Sequence, residues 1–343
     1  DPERSEVYYS LSTFKKLSNK EIVEEYLLSE GIINNKNKYQ KVDLLFAKAN
    51  ILHTKEDYTK SSDALIEANR IKLSIYPSKA NSLIKKSKEL LIKSKEIKNI
   101  NTKDHSNIDH IFIVGMPRSG STLLESILSM NKEIYDLGET NILEKAYIEW
   151  QYLIEKKTST NLTKIYTNKV NNHISKYKIT TNKCLYNYNF SGIIAAQIPT
   201  ARIIHCYRNP LDNILSMYRT NFAEGNRYSS SLIDCTKVYL EHDRVMTEYK
   251  KHFPNKIYNF NYDSLVTNTK EEIQSLIAWL KWEWDDSYLS PHLNTRLIST
   301  ASDIQVRSPI NSKSLSGWKN YQELLKPVIN YLTKTDKYRI LIY

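Results

Sequence analysis

Residues 111–128 read IFIVGMPRSGSTLLESIL. A short apolar run of strand character enters a turn built from glycine, proline and serine, and the turn feeds a stretch with helical periodicity. Strand, small-residue turn and helix in that order make a phosphate cradle, because the backbone wraps an anion while the helix start aims N–H groups at it. Gly115 and Gly120 have the glycine spacing of G-x-x-x-x-G-K-[ST], but Ser121 stands where that pattern has lysine. Ser119, Ser121 and Thr122 offer hydroxyl donors, and Arg118 offers a guanidinium. No apolar strand ending in aspartate stands ready to hold magnesium. With the lysine also missing, a nucleoside triphosphatase is disfavoured and an anionic nucleotide is kept. The same residues also describe a plain serine-rich turn at a strand–helix corner.

The pattern around this turn predicts an α/β fold. ARIIHCY (201–207) is a second β-like run, entering RNP and then LDNILSMYRTNF. KIYNFNYDSL is a third, followed by helical TKEEIQSLIAWLKW. Such alternation predicts a mostly parallel sheet, P-loop-like and flanked by helices. The stretch 142–177 reads as helical, and so does 322–332, where Pro327 should kink or restart the helix. The first hundred residues carry no strand. DLLFAKANILHTKEDYTKSSDALIEANRIK reads as two helices around a turn, and Ala49, Leu52, Ser61, Leu65 and Ala68 have tetratricopeptide-like spacing. Any helical hairpin would fit that spacing as well. Polar KNINTKDHSNIDH (98–110) is the best boundary. The expected organisation is a helical tetratricopeptide-like module over 1–105 and a catalytic domain over 106–343.

Composition narrows the function classes. The 343 residues are 41% hydrophobic and 25% charged, as in ordinary globular chains. The net charge is +11, and much of it lies between Lys72 and Lys103, where nine lysines face only Glu89 and Glu96. A solvated helix face is the plainer reading of that run, beside a nucleic-acid stripe or a membrane-surface helix; no base-stacking motif lies nearby, and no nucleic-acid partner is expected. Cys184, Cys206 and Cys235 form no C-x-x-C pair, and the histidines show no metal-ligand spacing, so neither a disulfide framework nor a metal is expected. No run reaches the ~18 apolar residues of a membrane span. A cytoplasmic location is expected, although the chain opens DPERSEVYYS without methionine or an apolar run, which leaves an upstream targeting segment open.

PRSGST followed by RNPLDNILS resembles the sulfotransferases that use 3′-phosphoadenosine 5′-phosphosulfate. The nearest likeness is to tyrosylprotein sulfotransferases and bacterial relatives with upstream tetratricopeptide repeats. It runs from about Ile111 to Tyr331. It implies that Arg118, Ser119, Gly120, Ser121 and Thr122 bind the 5′-phosphosulfate, with Arg118 also counted as catalytic. It further implies that Arg208 and Ser216, eight residues apart, grip the 3′-phosphate. Local physics agrees for Arg208, which sits at the carboxyl edge of a strand, where open α/β sheets bind ligands. Taken alone, Arg208 could instead pair with Asp212 at the helix start.

Transfer of a sulfuryl group to a hydroxyl requires a proton acceptor, charge stabilisation at the breaking bridge, and alignment. The resemblance places the catalytic base at Glu139, twenty-one residues after Arg118, and a catalytic lysine at Lys183, twenty-five before Arg208. Read without the family, Glu139 is an ordinary capping glutamate and Lys183 a surface lysine. Ser302 resembles the serine that assists that lysine, and Tyr262 a tyrosine beside the nucleotide, although Tyr262 fits packing against the sheet equally. The segment SDIQVRSPINSKSLSGW looks like the family's nucleotide-covering loop, but Gly317 stands where relatives have a basic residue; Lys319, Lys313 and Arg307 are the candidates to substitute. The implied partners are a hydroxyl-bearing acceptor (peptide, glycan or small molecule, with protein tyrosine among them) and a protein met through the helical module. The alternatives are a P-loop small-molecule kinase and a non-catalytic helical scaffold with a degenerate nucleotide fold.

Overall fold

The structure is a computed structural model that describes residues 4–14, 20–29, 31–97, 108–158, 160–171, 177–223, 225–294 and 307–342. The N-terminal part is helical: α1 (Ser5–Thr13), α2 (Lys20–Leu28), α3 (Lys38–Thr54), α4 (Tyr58–Ile75) and α5 (Ala80–Glu96). The sheet region follows as β1 (Asp109–Gly115), α6 (Ser121–Leu128), β2 (Ile134–Asp136), α7 (Ile142–Glu155), α8 (Leu162–Asn171), β3 (Ile179–Asn182), α9 (Ser191–Gln197) and β4 (Ala201–Tyr207). Then come α10 (Pro210–Tyr218), α11 (Leu232–His252), β5 (Ile257–Asn261), α12 (Tyr262–Thr267), α13 (Thr269–Leu280), α14 (Gln322–Leu332) and α15 (Asp336–Ile342).

The five strands form one sheet in the order β2-β3-β1-β4-β5, with every pairing parallel. Side chains alternate across it with the two-residue period of a strand. Ile111 and Ile113 enter one core with Leu124, Ile204, Phe260 and Ile277. Phe112 and Val114 enter the other with Tyr166, Ile203, Met246 and Ile257. Both faces are therefore covered, as parallel sheets require.

Two strands went unread in the sequence, for physical reasons. β2 is only three residues long, and β3 reads ITTN, whose threonines are buried yet polar: Thr180 Oγ1 meets His110 Nδ1 at 2.8 Å, and Thr181 Oγ1 donates to Asp136 Oδ1 at 3.1 Å. Pro327 does not restart its helix, because α14 runs on through it. Leu325, Val328 and Leu332 bury one stripe of that helix, whereas Pro327 and Glu323, whose carbonyl the proline cannot bond, are exposed to water.

The chain forms two compact units. One comprises Asp1–Leu83, Asn209–Tyr239 and Lys313–Tyr343; the other comprises Ile84–Arg208 and Leu240–Ser312. Two stretches from the C-terminal part of the chain thus group with the N-terminal helices. In the first unit α3 and α4 lie side by side, and the Ser61 hydroxyl donates to the Ala49 carbonyl at 2.9 Å. Ala49, Leu52, Leu65 and Ala68 are buried there. Of the boundary stretch 98–110, residues 98–107 lie outside the described residues, and Asp109 and His110 already belong to β1.

Candidate functional site

Each strand of the second unit delivers a candidate group at its carboxyl end. After β1 the chain turns at Gly115, where a Cβ would lie 2.4 Å from the Cys206 carbonyl on β4, so only glycine lets the two strands close there. Arg118 adopts a left-handed φ of 67°, and Gly120 follows with φ of 94°. A Cβ on Gly120 would lie 2.3 Å from the Tyr262 ring. α6 then begins at Ser121, and the N–H groups of a helix's first turn have no intrahelical partner. Ser119 is 1% exposed, and its hydroxyl has no hydrogen-bond partner among the described residues. A buried orphan hydroxyl beside a backbone loop that excludes side chains is what an anionic phosphate or phosphosulfate group would satisfy.

Glu139 and Lys183 are brought together by the β2–β3 ladder, which continues past the strand ends. Leu137 N donates to Thr181 O at 2.8 Å, and Lys183 N donates to Gly138 O at 3.0 Å. Asp136 Oδ1 steadies the intervening turn by accepting from Gly138 N at 2.8 Å. Lys183 Nζ lies 3.5 Å from Glu139 Oε1, and the Glu139 side chain is 55% exposed. The lysine itself is buried at 1% exposure, so it is no surface residue.

A third acid, unread in the sequence, sits closer still. Glu125 Oε2 on α6 lies 2.7 Å from Lys183 Nζ, and Glu125 is 6% exposed. Burial pushes its carboxyl up to about 8; Lys183 opposes that rise and nearby Asp136 adds to it. The available signal was its position as the one charged residue of an otherwise apolar and hydroxylic helix, STLLESIL.

Arg208 follows β4 and is buried. Its guanidinium lies 4.8 Å from the centre of the Tyr262 ring, and its Nε is 4.0 Å from Asp263 Oδ1. Tyr262, at the start of α12, thus has Gly120 against its ring and Arg208 over it. Asp212 accepts from the backbone N–H groups of Ser316 and Trp318, each at 2.9 Å. Ser216 is half-buried on α10 and belongs to the first unit, whereas Arg208 belongs to the second. Ser302 lies outside the described residues. Of the substitutes for a basic residue at position 317, Arg307 donates to Asn294 O at 2.8 Å, and Lys313 and Lys319 are exposed. No group of three or more metal-ligating side chains occurs among the described residues. No helix among them is long and apolar enough to cross a membrane.

The profile of the sulfotransferase family matches residues 110–286, just over half of the chain, and spans the turn, Glu125, Glu139, Lys183, Arg208 and Tyr262. The chain belongs to the sulfotransferase family. It is 28% identical over 315 residues to an uncharacterised protein of Aquifex aeolicus; the match takes in 85% of this chain but only 41% of that protein. A putative protein-tyrosine sulfotransferase of Caenorhabditis briggsae is 23% identical over 227 residues, which are 61% of this chain and 80% of that protein. Among solved structures, the sulfotransferase domain of the Synechococcus olefin synthase is similar at 17% identity and a TM-score of 0.48, covering 67% of this chain and 98% of that domain.

Proposed function

We propose that this chain transfers the sulfuryl group of 3′-phosphoadenosine 5′-phosphosulfate to an acceptor hydroxyl by direct in-line displacement. The observation that carries the reading is a lysine–glutamate pair, Lys183 and Glu139, at the same sheet edge as a phosphate turn whose buried Ser119 hydroxyl is unsatisfied. In this reading Arg118, Ser119, Gly120, Ser121 and Thr122 take the 5′-phosphosulfate. Arg208, with Ser216 assigned from its eight-residue spacing, takes the 3′-phosphate, and Tyr262 flanks the nucleotide.

The step balances without a further reactant. The acceptor oxygen attacks sulfur as its proton passes to the Glu139 carboxylate, which is exposed enough to meet an incoming hydroxyl. The bond from sulfur to the bridging oxygen breaks, and its electron pair leaves on adenosine 3′,5′-bisphosphate. The Lys183 ammonium stabilises the charge that develops there, with Arg118 on the sulfuryl oxygens. Ser302 is assigned beside that lysine from sequence alone. A tyrosyl peptide is the first acceptor to try, since one relative is named a putative protein-tyrosine sulfotransferase.

Adenosine 3′,5′-bisphosphate is the deciding ligand. At ~100 times its dissociation constant it should stabilise the fold by about 2.7 kcal/mol. Its thermal shift should exceed that of AMP, and Arg208→Ala should erase the difference. Equal shifts from the two nucleotides would reject the 3′-phosphate site. Magnesium-ATP stabilising and turning over in its place would assign a kinase.

A further inference from the structure

We propose that Glu125 is the positioning residue for Lys183: its buried carboxyl holds the ammonium in place, so that the lysine meets the donor already oriented. The inference rests on the sulfotransferase reading for its reaction, but its physical basis is independent of it. Lysine is almost never removed from water unless a partner compensates, and Lys183 is 1% exposed. Among the described residues, two carboxyl groups lie within 4.0 Å of its nitrogen. Glu139 is the farther at 3.5 Å and, at 55% exposure, is screened by water. Glu125 is the nearer at 2.7 Å, with its side chain 8% exposed, so its attraction is screened far less.

The placement in the chain adds a second reason. Glu125 lies one helical turn beyond Ser121 on α6, the helix that opens the phosphate turn. A single rigid element therefore presents both the anion cradle and the anchor of the lysine, which fixes the distance between them. A general base must reach the acceptor hydroxyl to take its proton, and Glu125 is buried at 6% exposure whereas Glu139 is open to solvent. Its role is exerted through the lysine.

A double-mutant cycle in the full chain tests this. The singles are Glu125→Asp, which withdraws the carboxyl by one methylene, and Lys183→Met; the rate is read with the phosphosulfate donor and a tyrosyl peptide or simple phenol. Glu125→Asp should lower kcat by about 10- to 100-fold, the size of effect expected when a reacting group is displaced by about an ångström. Affinity for adenosine 3′,5′-bisphosphate should change by less than about threefold, since the phosphate contacts are made elsewhere. In the Lys183→Met background the same substitution should cost almost nothing. Glu125→Gln, which keeps the shape and a hydrogen-bond acceptor, should recover most of the rate. An equal loss in both backgrounds, or no loss in either, overturns the proposal.

Thermal unfolding of Glu125→Leu, Lys183→Met and the double variant gives a readout that needs no turnover. Each single should lower Tm by leaving a buried group unpaired, and the double should recover part of the loss. Strictly additive losses overturn the pairing. Recovery in a protein that transfers no sulfuryl group to any acceptor would keep the pairing and reject the reaction assigned to it.

Discussion

Lys183 shows how far one residue's identity is from its role. As a letter it is one of many lysines, and its significance comes from burial and from two acids that approach from different elements. Glu139 is the acid left open to solvent, and that openness is why it is assigned the proton. Glu139→Gln keeps shape and a hydrogen bond but cannot accept a proton, so turnover should fall by about 100-fold or more. Binding of adenosine 3′,5′-bisphosphate, measured by calorimetry, should be unchanged. Near-normal turnover would reject Glu139 as the base. Glu125 had no comparable motif to announce it, because a buried acid is defined by what surrounds it, and Lys183 lies fifty-eight residues away along the chain.

Among the elements, α10 has a part beyond carrying Ser216. Asp212 in its first turn is 5% exposed and accepts from Ser316 N and Trp318 N. Ser316 is held at φ of 56°, a strained value for serine, and the Asp212 carboxylate offsets that cost by taking both N–H groups. The clamp holds the turn at Ser316–Trp318 against the start of α10. Asp212→Asn keeps one acceptor but presents an NH₂ to the second donor. It should cost about 1–3 kcal/mol, read by denaturant unfolding with Trp318 fluorescence as a local probe. A variant as stable as the parent would show that the turn holds itself.

On the scale of the whole molecule, the first unit carries a chain of polar contacts linking segments far apart in sequence. Arg219 Nη1 meets His53 Nε2 at 3.3 Å, His53 Nδ1 meets Tyr321 Oη at 2.9 Å, and Tyr321 Oη meets Ser61 Oγ at 2.9 Å. Arginine can only donate, so His53 accepts through Nε2 and carries its proton on Nδ1. Burial first, and then the Arg219 charge, push His53 from its ordinary 6.5 down to about 4. The unfolded chain thus binds more protons at His53 between those values. Stability should be full above pH 6.5 and be lost as pH falls toward 4. Thermal unfolding across that range should show the loss, and His53→Gln should flatten it. A deletion of residues 1–105 should do more than remove an accessory module. It would uncover the apolar faces of 209–239 and 313–343, which pack in the same unit, so aggregation is the expected outcome by light scattering. A soluble, folded remainder would show that the α/β part stands alone.

The sequence by itself determined whatever depends on neighbours in the chain. The apolar runs of β1, β4 and β5, the glycine-bounded turn with the helix that follows it, and the helical character of α3 and α4 were all legible. Each is specified within some twenty residues by periodicity, by small residues at a sharp turn, or by a helix start. The spacing that marked Glu139, Lys183 and Arg208 was legible through the family resemblance alone. Tertiary structure decided the rest. β2 and β3 are strands because they pair within the sheet, since three and four residues are too short to show a period of their own. The continued β2–β3 ladder sets Glu139 beside Lys183, and α6 brings Glu125 to the lysine from the other side. The segments 209–239 and 313–343 join the N-terminal helices because contacts between distant residues, which no local pattern encodes, bury their apolar faces there.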